Sequence, residues 1–99
     1  MIILIAGIYY IFIKEPPPIS AEDAKCIGEN AILYWTTGCP HCQVQKDMFG
    51  ENINYLIMIN CAEEPEKCTE ISKVPTWEIK GEYYIGVKSI DYLKQLTGC

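Results

Sequence analysis

Arginine is absent from this 99-residue sequence: all eight basic residues are lysines, set against thirteen aspartates and glutamates, for a formal net charge of -5. The planar fork that grips phosphates and carboxylates bidentately is therefore missing, and the acidic excess opposes a polyanion. Nucleic acid is accordingly not expected as a partner. Histidine is nearly absent as well, with His41 the one imidazole. Internal repeats and low-complexity tracts are lacking, and the length admits one domain at most. Cysteine is what the chain has in excess. Six in so short a length favour an oxidising compartment, intracellular proteins of hyperthermophiles being the exception.

Residues 1–13 carry no charged side chain and are almost wholly aliphatic or aromatic, ending at Lys14-Glu15. Thirteen helical residues rise about 20 Å, whereas a bilayer core is roughly 30 Å thick and takes about 20 residues to span. A short anchor, a signal-peptide core and an apolar core element of a soluble protein all remain open. No basic side chain precedes Lys14 and no A-x-A pattern follows it, so an uncleaved anchor over 1–14 is expected. Pro16-Pro17-Pro18, within a linker over 15–20, make a stiff extended spacer. A domain over 21–99 follows. Lys14 on the domain side mildly opposes export; cysteine content favours an anchored domain outside the cytoplasm.

Ser20 reads as the N-cap of a short helix that Gly28 would stop. Beyond it the patterning predicts a strand over 31–36, a helix from Cys39-Pro40, a strand over 53–59, a helix around 63–71 and a strand over 76–80. A turn at Gly81, a strand over 83–87 and a helix over 89–97, stopped by Gly98, complete the chain. The order βαβαββα predicts an α/β fold. Strands joined by a crossover helix pair in parallel and those joined at Gly81 pair antiparallel, giving a mixed four-stranded sheet with helices on its faces.

Cys39-Pro40-His41-Cys42 falls where the first strand hands over to a helix. Unpaired backbone N–H groups and the macrodipole at a helix N-terminus stabilise a thiolate, which makes the first cysteine nucleophilic at neutral pH. Pro40 suits the first turn, where its missing N–H has no acceptor to lose. The three-residue step puts Cys42 on the same face, placed to resolve a mixed disulfide. His41 between them is either a solvated loop residue or a source of positive potential that makes the disulfide a stronger oxidant.

A lone CxxC can also be half of a zinc site completed by Cys61 and Cys68, although that second spacing is loose for a ligand pair; no metal is expected. Val74-Pro75 opens the strand at Thr76, either as an ordinary trans proline on an edge strand or as a cis peptide that sets backbone groups beside the sulfurs. Trp35 and Trp77, with the tyrosines, read as core and sheet-face residues, some of them lining the thiol site as an apolar floor under Cys39.

Together these residues resemble the thioredoxin fold over 28–99. Tyr34-Trp35, Cys39-Pro40-His41-Cys42, Gln45-Lys46, Met48-Phe49-Gly50, Cys61, Cys68, Pro75-Thr76-Trp77-Glu78-Ile79 and Gly81 are similar to the thioredoxin-like domain fused to bacterial and plant homologues of vitamin K epoxide reductase. That resemblance implies a thiol–disulfide oxidoreductase outside the cytoplasm, acting on thiols of exported proteins and reoxidised by a quinone-linked membrane partner. It makes Cys39 the attacking sulfur, Cys42 the resolving one and Pro75 a cis-proline framing the substrate together with Val74. The CPHC letters also match those of a strongly oxidising periplasmic thiol oxidase. This sequence departs from the fused family in showing no four-helix reductase domain, so it would need such a partner in trans or some other oxidant. It also has Leu33 where thioredoxin buries an acid, which weakens a reductase reading.

Cys61 follows the second strand and should emerge at the same sheet end as Cys39. A bridge to Cys68 is expected to be structural, the alternative being a second redox pair relaying electrons to Cys39 and Cys42. Strand directions send Cys26 and Cys99 to the opposite end, where they are either bridged or free. Six cysteines allow fifteen complete pairings. A thiol oxidase of exported proteins is the expected function, with no cofactor; a thiol reductase or isomerase on the same scaffold and a metal-handling module using Cys39, His41 and Cys42 are the alternatives.

Overall fold

Helix α1, Ala21–Asn30, is the first element of the computed structural model, which describes residues 19–99. The expected anchor over 1–14 and most of the linker over 15–20 lie outside the described residues. Ser20 caps α1 as predicted, its hydroxyl accepting from the Asp23 amide at 3.2 Å, and Glu22 and Asp23 set negative charge in the first turn. The helix does not stop at Gly28 but continues to Asn30. Gly28 serves close approach instead. A Cβ there would lie 2.8 Å from the Tyr55 carbonyl carbon and nearer still to its oxygen.

The remaining elements are β1, Ala31–Trp35; α2, Pro40–Asp47; β2, Ile57–Asn60; β3, Thr76–Ile79; β4, Glu82–Ile85; and α3, Ile90–Thr97. The sheet order is β2-β1-β3-β4, with β1 parallel to β2 and antiparallel to β3, and β3 antiparallel to β4. The mixed four-stranded α/β sheet is thus present. Lys80 and Gly81 join β3 to β4 with φ of 54° and 80°, the left-handed pair that a two-residue hairpin turn requires. Ser89 caps α3 by accepting from the Tyr92 amide at 3.1 Å, and Gly98, at φ 81°, ends it.

Two predicted elements are corrected. The strand expected over 53–59 begins only at Ile57, because Gly50–Tyr55 forms a 3-10 turn held by the Asn52 side chain, which donates to the Ile19 carbonyl at 3.0 Å. The helix expected around 63–71 is reduced to the 3-10 turn Pro65–Lys67. A disulfide joins Cys61 to Cys68 across a Cα separation of 5.7 Å. A helix from 63 would carry Cys68 about 8 Å along its axis and away from Cys61, so the bridge works against a continuous helix. Smaller differences fall at strand ends: β4 stops at Ile85, where Gly86 takes φ 101° and its N–H turns to the Pro75 carbonyl at 2.8 Å.

The register places Leu33, Met58, Trp77 and Tyr84 in one row across the sheet. Leu33 and Trp77 meet Ala24 and Ile27 of α1, Phe49 beyond α2 and Leu93 of α3 in one buried core. The helices' apolar residues therefore gather against a single face. On the other face lies the row Ile57, Ile32, Glu78 and Tyr83, with Ile57 52% and Tyr83 42% exposed. A second disulfide, Cys26–Cys99, ties α1 to the residue after the α3 cap across a Cα separation of 6.0 Å. Lys94 and Asp23 add an ion pair between the same two helices at 3.1 Å. Among the described residues, no helix is long and apolar enough to cross a membrane.

Candidate functional site

β1 points its C-terminal end at a short turn containing Gly38, whose φ of 79° lets the chain reverse into α2. Cys39 is the N-cap of α2, with extended backbone at φ -97° and ψ 108°, and its Sγ accepts from the Cys42 amide at 3.1 Å. An orphan N–H of the first helical turn is thus aimed at the sulfur, where it would stabilise negative charge on a reduced Cys39. Pro40 occupies the first turn, as predicted. Cys39 and Cys42 are bridged, Cα to Cα 5.2 Å. Their surroundings differ sharply: Cys42 is buried at 1% exposure, whereas Cys39 is only half-buried. An incoming thiolate therefore meets Cys39 first.

The His41 side chain is exposed. Trp35 is half-buried and lies under the Lys46 ammonium, which stands 3.7 Å from the ring centroid. Facing Cys39 from the other side is the segment before β3. Val74–Pro75 is a cis peptide, Pro75 is buried, and the Val74 carbonyl oxygen lies 4.0 Å from the Cys39 sulfur. A disulfide sulfur carries no proton, so in this state that approach is a contact and not a hydrogen bond. The Thr76 hydroxyl donates to the Lys73 carbonyl at 2.6 Å and shapes the same segment.

Beside Val74 opens a cleft of about 320 Å³ lined by Thr36, Cys61, Pro65, Cys68, Ile71 and Val74 among others. The Cys61–Cys68 bridge forms part of its wall, at the sheet end that carries Cys39, whereas Cys26–Cys99 ties α1 to the residue after the α3 cap. The segment lining the cleft is tied to the sheet at Glu70. The Tyr83 hydroxyl donates to Glu70 at 3.0 Å and the Tyr34 hydroxyl to Glu78 at 2.6 Å, with the two rings edge to face at 6.4 Å. Burial, reinforced by the Glu78 hydrogen bond, raises the Tyr34 phenol well above the ordinary tyrosine range.

Gln45 matters in a way its sequence did not disclose. It is fully buried on α2 and hydrogen-bonded to Trp77 and Lys88. The available signal was its spacing, one turn beyond Cys42 on the inward face of the helix, and a polar letter there masks a core position. All six cysteines are paired in the three bridges, and among the described residues no three His, Cys, Asp or Glu side chains are grouped to hold a metal ion. The arrangement offers an accessible sulfur, a buried partner sulfur and a backbone wall opposite. No known family model matches the chain.

Proposed function

We propose that the protein is a thiol–disulfide oxidoreductase that donates the Cys39–Cys42 disulfide to thiols of exported proteins. The observation that carries this reading is the asymmetry of the pair: Cys39 caps a helix with its sulfur on a backbone N–H and is partly open, while Cys42 is 1% exposed. A substrate thiolate attacks the Cys39 sulfur, forming a new S–S bond as the Cys39–Cys42 bond breaks, and the electron pair leaves on Cys42, which takes a proton. A second substrate thiolate then attacks the substrate sulfur of the mixed disulfide and expels Cys39 as the thiolate. The substrate loses two electrons and two protons, and the protein becomes the dithiol once the Cys39 thiolate takes the second proton. The first-turn N–H favours that leaving thiolate.

The likeness of the CPHC and PTWEI motifs to the thioredoxin-like domain of vitamin K epoxide reductase homologues supports the same reading. On it, residues 1–14 tether the domain to a membrane, with the domain extracytoplasmic, and a quinone-linked membrane partner reoxidises the dithiol. Substrate segments lie against Val74-Pro75 and the cleft beside it, with Trp35 in the floor and exposed His41 tuning the potential of the pair.

Equilibration of the full-length protein in detergent with glutathione buffers, followed by thiol trapping and mass spectrometry, tests the assignment. A potential of about -120 to -180 mV for Cys39–Cys42 is expected of a disulfide donor. A potential near about -270 mV would identify an electron-delivering reductase and overturn it.

A further inference from the structure

The carboxamide of Gln45 is fully buried and fully used. Its Oε1 accepts from the Trp77 indole N–H at 3.0 Å and from the Lys88 amide at 2.6 Å. Its Nε2 donates to the Lys88 carbonyl at 3.0 Å, with the Met48 sulfur at 3.5 Å. A primary amide has two donors and an oxygen with two lone pairs, so no capacity is left over. Two of these bonds go to one residue, and Gln45 grips the Lys88 backbone much as a neighbouring strand would.

Lys88 ends the short connection over 86–88 between β4 and α3, and Gly86 at its start donates to the Pro75 carbonyl at 2.8 Å. Hydrogen bonds at Lys88 and at Gly86, joined by the backbone between them, thus link α2 to Pro75. The next residue back, Val74, presents its carbonyl oxygen 4.0 Å from the Cys39 sulfur. The helix bearing the disulfide and the backbone opposite are tied together by a path that includes neither sulfur. The tie does not pass through the Cys39–Cys42 bond.

We propose that Gln45 is a positioning residue: by clamping Lys88 it holds the 86–88 connection, and through it Val74-Pro75, at a set distance from Cys39, so that a polypeptide seats between these walls while its thiol reaches the sulfur. The proposal rests on the thiol-exchange reading above. A small dithiol needs only access to Cys39, whereas a protein thiol also needs the walls, so the two substrates separate positioning from general damage.

Full-length wild type, Gln45→Leu and Trp77→Phe, oxidised and held in detergent, are assayed against dithiothreitol and against reduced, unfolded ribonuclease A. In single-turnover reactions Gln45→Leu is expected to keep its dithiothreitol rate within about twofold while the ribonuclease concentration giving half the limiting rate rises about tenfold at a similar limiting rate, the pattern of lost binding contacts. Trp77→Phe strips one donor from Oε1 but spares the Lys88 clamp, and is expected to keep both rates near wild type. Equal losses on both substrates, or no change with ribonuclease, overturn the proposal. A wild type inert even to dithiothreitol sinks the thiol-exchange reading on which it stands. If Gln45→Leu does not fold, amide hydrogen exchange in the wild type decides: a Lys88 N–H protected like the core amides supports the clamp, and one exchanging like an exposed loop overturns it.

Discussion

The Cys39 sulfur accepts the backbone N–H of Cys42 at 3.1 Å, so the residue that caps the helix is also the residue whose charge the cap would hold. The same turn buries Cys42 and leaves Cys39 partly open. Burial and capping therefore assign different tasks to two chemically identical side chains. Reduced Cys42→Ser, offered a disulfide-bearing protein, is expected to stop at a mixed disulfide through Cys39, because no second thiol displaces the bound sulfur. Cys39→Ser, left with a buried thiol, should form little. Non-reducing gels and mass spectrometry distinguish these outcomes, and equal trapping by both variants would remove the assignment of Cys39 as the exchanging sulfur.

Gly28 lies in the interior of α1, where glycine ordinarily weakens a helix, yet its Cα faces the backbone of Tyr55 with no room for a methyl group. Gly28→Ala gains helix propensity of about 1 kcal/mol and must push α1 away from the 3-10 turn to accommodate its Cβ. The second effect is expected to win, with a net loss of about 1–3 kcal/mol in urea unfolding, the usual range for overpacking. A neutral or stabilising result would mean that the two backbones part at little cost.

The Cys26–Cys99 and Cys61–Cys68 bridges close loops of sequence separation 73 and 7. Chain entropy assigns the long loop about 4.4 kcal/mol and the short one about 2.5 kcal/mol, before any relaxation of the folded state. Cys26→Ala with Cys99→Ala should therefore lower the urea midpoint more than Cys61→Ala with Cys68→Ala does. The short bridge has a separate expected role, since it walls the cleft beside Val74. Its removal should slow disulfide transfer to a protein thiol more than transfer to dithiothreitol.

Tyr34 is expected to govern part of the alkaline limit of stability. An unfolded tyrosine ionises at about pH 10, and burial with the Glu78 hydrogen bond holds the folded phenol well above that. Because the folded pKa is the higher one, this residue's contribution is intact below about pH 10 and declines as pH climbs from there towards the folded value. Wild-type unfolding free energy should accordingly fall above about pH 10, and Tyr34→Phe should flatten that fall while losing its bond to Glu78. Tyrosinate titration by ultraviolet absorbance should show one phenol fewer ionising late in the variant. An unchanged alkaline slope would show that Tyr34 ionises as freely in the fold as out of it.

What could be read from residues alone was whatever is settled within a few positions. Ser20 caps a helix, Gly98 ends one, Cys39-Pro40 starts one and Gly81 turns a hairpin because each of those features is settled over four residues or fewer. The mixed sheet followed from the order of such elements together with connection rules. A Cys61–Cys68 bridge was expected, whereas Cys26 and Cys99 were either bridged or free, because chain direction placed them at one end of the sheet without bringing their sulfurs together. Gly28 was misread as a stop because the backbone it accommodates lies at Tyr55, and the helix around 63–71 was overpredicted because a bridge between Cys61 and Cys68 outweighs local propensity. Gln45 could not be recognised as a clamp while Trp77 and Lys88 were distant letters. Tertiary structure decided these points because burial and hydrogen-bond satisfaction belong to surfaces that meet only after the chain has folded.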